Sequence, residues 1–83
     1  MTSKSDLSHA VRRALAGEWR EAHEIVQKDE KDETACWIHA ALHRQEGDLP
    51  NAQYWYARCG RRLRKGVTPE QELREIDAAL GGR

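Results

Sequence analysis

The sequence predicts an all-α fold, on three observations. Apolar residues recur at intervals of three and four along most of the chain, the period of helices with buried stripes. No segment shows the strict alternation of a half-buried strand. Gly, Pro, Asp and Thr fall between the periodic stretches, where helices start and stop. With 83 residues the chain is expected to form one domain. A domain of that size buries only about 60–65% of its unfolded surface. That leaves little room for a core, a cofactor cavity and a catalytic site together.

Leu7, Ala10, Val11, Ala14 and Leu15 form the stripe of a first helix. Ser5 or Asp6 can cap it and Gly17 can end it. A second helix turns Trp19, Ala22, Ile25 and Val26 inward and Glu18, Glu21 and Glu24 toward solvent. The run KDEKDE, Lys28 to Glu33, has no apolar residue and reads as a turn, with Asp32 placed to cap a third helix. That helix, Glu33 to Glu46, is apolar on two adjoining sides. Ala35, Ile38, Ala41 and Leu42 make one, and Cys36, His39, Ala40 and His43 make the other. A helix with two apolar sides has a neighbour on each, so this one is expected at the centre.

In GDLP, Gly47 ends the third helix, Asp48 caps the fourth and Pro50 sits in its first turn, where a missing N–H costs nothing. The fourth helix carries Ala52, Tyr56, Cys59 and Leu63 on one stripe, and runs to Gly60 or on through Lys65. At 100° per residue, Tyr54, Trp55 and Tyr56 point three ways. Tyr56 is expected in the core, Trp55 against the last helix and Tyr54 outward. In VTPEQ, Thr68 is an N-cap, Pro69 opens the helix and Gln71 completes a capping box. Leu73, Ile76 and Leu80 give that last helix a single narrow stripe.

The chain repeats itself at a spacing of 30: His9-Ala10, Gly17 and Ala22 recur as His39-Ala40, Gly47 and Ala52. Small residues facing each other across a Gly turn let two antiparallel helices approach closely. The large residue two past each Gly, Trp19 or Leu49, is expected to plug the hairpin's closed end. Repeated hairpins of this kind are the mark of an α-solenoid unit. Through Ala40, Gly47-Asp48, Leu49, Ala52, Tyr56 and Cys59, the second hairpin resembles a tetratricopeptide repeat. The first resembles it through Ala10, Gly17, Trp19 and Ala22. The resemblance covers residues 6–60. It departs from the family in its 30-residue period, in lacking a closing Pro, and in Trp37 sitting one place late. It implies two stacked antiparallel hairpins, 6–28 and 33–65, in a right-handed array with 68–80 as a capping helix. It also implies partner binding on a concave face.

Charge is balanced overall, 14 basic against 14 acidic residues, but five of the basic ones crowd into Arg58 to Lys65. Balance argues against bulk nucleic-acid affinity and leaves a local basic patch, with Tyr54 and Trp55 nearby as stacking surfaces. Lys and Arg are favoured near a helix C-terminus in any case, and the acidic residues of the last helix would blunt the patch. No apolar run approaches the roughly 20 residues of a membrane span, and MTSKSDLSHA has no apolar signal core. The expected address is the cytoplasm, where Cys36 and Cys59 would stay reduced.

Cys36, His39 and His43 lie on one side of the third helix, and Cys59 is opposite Cys36 if the hairpin turns at Gly47-Asp48. Two Cys and two His are a zinc donor set, but His43 would sit about 10 Å along the axis from Cys36. The expectation is therefore packing, with no cofactor; His39 and His43, one turn apart, could pair on a metal. Cys36 beside His39 permits a nucleophile and base but supplies no third group to orient them. No phosphate loop, His-Glu-x-x-His or Gly-x-Ser-x-Gly occurs, so no enzyme is expected. Trp37 falls off both apolar sides, on the face of Arg44. Exposed Trp beside Arg is the composition of a binding hot spot; coverage by the first helix is the alternative. The functional expectation is an adaptor that takes a protein or peptide partner, or a second copy of itself, through Trp37 and Arg44, with Arg61 and Arg62 beside them.

Overall fold

The computed structural model describes residues 3–81 and contains five helices and no strand among them. They are α1 (Lys4–Leu15), α2 (Trp19–Val26), α3 (Glu33–Glu46), α4 (Leu49–Arg58) and α5 (Pro69–Ala79). None is long and apolar enough to cross a membrane.

The starts are set by side chains that accept from otherwise unpaired backbone N–H groups. Ser3 caps α1, and Asp6 returns the bond from the third helical position. The cap therefore lies two or three residues before the expected Ser5 or Asp6, because the box needs its acid inside the first turn. Asp32 caps α3 at 2.8 Å and Asp48 caps α4 at 3.3 Å. Thr68 and Gln71 form the expected box on α5. Gly47, at φ +86°, takes the left-handed conformation that ends α3 and lets α4 begin two residues later.

α1 packs on α2 and α3 on α4, and α3 touches each of the other four helices. Its residues from Ala35 to His43 are all buried, nine in succession. This is the expectation of two apolar sides carried all the way round. α5 packs on α3 and α1, and meets α4 through the Tyr56 hydroxyl, which donates to Glu72. The described residues accordingly fill an almost isometric 27 × 23 × 22 Å.

Three local expectations are corrected. Trp55 is buried against His39 instead of α5, because α5 lies on the other flank of α3. Leu49 is 48% exposed and plugs nothing. α4 stops at Arg58, since Gly60 turns the chain at φ +71°. Leu63 then reaches the core from an irregular connection. Tyr56 is buried and Tyr54 exposed, as the helical angles require.

Candidate metal centre

Trp19 opens α2, and His23 follows four residues later on the same face. The two rings stack at 4.7 Å with planes 11° apart. The indole N–H donates to the Leu42 carbonyl at 2.6 Å, which holds this face of α2 on α3. On α3, His39 and His43 are also one turn apart, and their rings stack at 5.0 Å. Trp55 of α4 closes the far side, 3.9 Å from the His39 ring and nearly parallel to it. Two helices thus bring three imidazoles together, between the Trp19 indole of α2 and the Trp55 indole of α4.

Nε2 of His23 and Nε2 of His39 are 3.0 Å apart. One potential ligand atom from each of His23, His39 and His43 falls within 4.8 Å of the others. His43 Nδ1 is 2.6 Å from a carboxylate oxygen of Glu46. A neutral His43 that donates from Nδ1 keeps its lone pair on Nε2. His39 Nδ1 is buried with no hydrogen-bond partner. Such an orphaned polar atom costs about 1–3 kcal/mol, so the cluster is an expensive way to fill space.

Burial pushes the His39 imidazole down to about 3, helped by His23 and His43 beside it. His23, half-buried, is lowered for the same first reason and then by His43, with Glu46 and Glu24 opposing. Both rings therefore stay neutral, the form that binds a metal.

The four residues weighed from the sequence as a zinc set separate here. His39 and His43 come together, with His23 as their third member. Neither cysteine belongs to a group of convergent ligand atoms among the described residues. Cys36 donates to the Glu30 carbonyl and Cys59 to that of Tyr56, and both are free thiols. Burial raises both thiols, with Arg58 opposing at Cys36 and Arg61 at Cys59. Neither is poised as a thiolate. The sequence offers His23, with His9, His39 and His43, only as a possible base, because nothing local shows which side of α3 the α2 helix packs on. The available signal was its four-residue spacing from Trp19, which puts it on the inner face.

Trp37 and Arg44, expected as a binding face, are covered by α5. Trp37 is 5% exposed and its indole N–H donates to Glu72 at 2.9 Å. Arg44 donates to Glu72 at 3.2 Å and to the Val67 carbonyl at 2.6 Å. The Tyr56 hydroxyl donates to the same carboxylate, and burial with Glu72 pushes that phenol far up. Glu72 is 1% exposed. Only Arg61 and Arg62 of the four expected residues are on the surface.

Comparison with family models, with curated proteins and with solved structures found no match.

Proposed function

We propose that this protein binds one first-row transition-metal ion through His23, His39 and His43. The observation that carries the reading is the convergence of three imidazole ligand atoms within 4.8 Å, inside a sheath of two tryptophans. Metal–imidazole bonds of about 2.0–2.1 Å in a tetrahedral site set neighbouring nitrogens somewhat over 3 Å apart. The His23–His39 pair at 3.0 Å needs only a small adjustment to meet that. An all-nitrogen donor set suits Zn²⁺, Cu²⁺, Ni²⁺ or Co²⁺ and not Mg²⁺ or Ca²⁺, which take oxygen ligands. Glu46 would act from outside the ligand set, orienting His43 through Nδ1. The scaffold, on this reading, is a tetratricopeptide-like pair of hairpins closed by α5.

The test is titration of chelator-treated protein with Zn²⁺, Co²⁺, Ni²⁺ and Cu²⁺, followed by elemental analysis and by quenching of Trp19 and Trp55 fluorescence. One ion per chain, with binding at least a hundredfold weaker in His23→Ala, is the expected result. His23 is the least buried of the three, so its variant best preserves the fold. No uptake of any of the four ions would sink the reading and leave the cluster as packing.

A further inference from the structure

We propose that the connection between α4 and α5 carries a binding site for a phosphate-class oxyanion, in a cavity of about 270 Å³ lined by Gly60, Arg61, Arg62, Arg64 and Glu72. This site is separate from the imidazole cluster and does not depend on it.

The connection is irregular but fixed. The Arg61 N–H donates to the Tyr56 carbonyl at 2.8 Å. Leu63 packs on the core, and Arg44 holds the Val67 carbonyl at 2.6 Å. Binding there would order little that is not already ordered, which favours affinity.

Two of the three arginines, Arg61 and Arg64, are also held in place. The Arg61 guanidinium carbon sits 3.4 Å from the centre of the Trp37 ring. Stacking occupies the flat face of a guanidinium and leaves its N–H edge available. Neither Arg61 nor Arg62 makes a side-chain hydrogen bond or ion pair among the described residues. Arg64 is shared, at 2.7 Å from Glu75 and 3.6 Å from Glu72.

Glu72, the one carboxylate lining the cavity, already accepts from Trp37, Arg44 and Tyr56. Counting Arg44, Arg61, Arg62 and Arg64 against Glu72 and Glu75 leaves two positive charges unanswered, four less two. A phosphomonoester dianion supplies two negative charges and the paired oxygens that guanidinium forks engage. A second cavity of about 300 Å³ is shared through Arg61 and Arg62, which gives space for the organic part of such a ligand.

The experiment is a ¹⁵N NMR titration of metal-free protein with inorganic phosphate at constant ionic strength, in the presence of a chelator. The expected result is saturable shifts of the 60–64 amides. Arg62→Gln should weaken binding about tenfold, the loss of one charge-assisted pair. Lys65→Gln, a change in the same basic run that does not touch the cavity, should stay within about twofold. Both side chains are exposed, so both variants should fold. Equal weakening by the two changes, or the same shifts from chloride, would overturn the site in favour of a diffuse basic surface. One short oligonucleotide with and without a 5′-phosphate separates the sources. Preference for the phosphorylated end supports the dianion site. Equal binding of both, with no response to inorganic phosphate, refutes it.

Discussion

The indole N–H of Trp37 donates to Glu72 at 2.9 Å across 35 residues of sequence, tying the central helix to α5. Arg44 and Tyr56 reach the same carboxylate. The group is buried, so the penalty for breaking it is large even if its net worth against apolar packing is small. Glu72→Ala would leave Arg44 charged beneath α5 with the Val67 carbonyl but no counter-ion. A loss of about 3–5 kcal/mol is expected in urea unfolding. Trp37→Phe keeps an aromatic ring but removes the N–H donor and part of the buried indole, for at least about 1–3 kcal/mol. A double-mutant cycle on Arg44 and Glu72 should show strong coupling. Additive losses would mean the two groups do not act as a pair.

This hub also shows where sequence reasoning stops. Glu72 stands in an acidic run, PEQELREID, whose apolar stripe is Leu73, Ile76 and Leu80. Nothing local marks one of its acids for burial. What buries it is the docking of α5 on α3, a contact between segments far apart in sequence. The same holds for Trp37, whose helical angle was correct while its neighbour was unknown. The caps of α3, α4 and α5 and the left-handed Gly17 and Gly47 were legible because each depends on a few adjacent residues, and the two apolar sides of α3 marked its central place, whereas the α1 cap lies earlier, at Ser3. The histidine cluster was half legible. His39 and His43 share a helix, and His23 joins them only once α2 packs on α3.

Glu46 offers a check on the metal reading that leaves the ligands intact. It is 38% exposed and hydrogen-bonds His43 Nδ1. Glu46→Gln can keep a hydrogen bond but removes the carboxylate that orients the ring through Nδ1. Metal affinity should fall about 10–100-fold, the usual effect of losing an outer partner, with unfolding of metal-free protein little changed. Competition with a calibrated chelator measures it. Unchanged affinity would take Glu46 out of the site.

Two glycines separate backbone conformation from packing. A Cβ on Gly47 or on Gly66 would meet nothing within 4 Å. Gly47 has φ +86°, where an L side chain costs about 1–2 kcal/mol. Gly66 is not in that region, so Ala there should be neutral or stabilising by about 0.4–1 kcal/mol through the unfolded chain. In thermal melts the midpoint of Gly47→Ala should therefore be lowered, and that of Gly66→Ala unchanged or raised. A shared direction would contradict the assigned conformations.

The buried imidazoles set the acid limit of the metal-free protein. His39 is held near 3 by burial and is ordinary, about 6.5, once unfolded. His23 is lowered in the same direction. Between those values the unfolded chain binds more protons than the folded one, so acid favours unfolding. The stability these rings contribute is complete above about pH 6.5 and is lost as the pH falls toward 3. The slope approaches about 1.4 kcal/mol per pH unit for each proton of difference. Urea midpoints in chelator at pH 7.5, 6.5, 5.5 and 5.0 test this above the range where most carboxylates titrate. A flat midpoint from 7.5 to 6.5 and a steady fall below it are expected. His39→Gln should start less stable at pH 7.5 and show a shallower fall. A wild-type midpoint that does not change down to pH 5.0 would mean the rings take up protons freely in the folded state, and that the sheath between Trp19 and Trp55 is open to water.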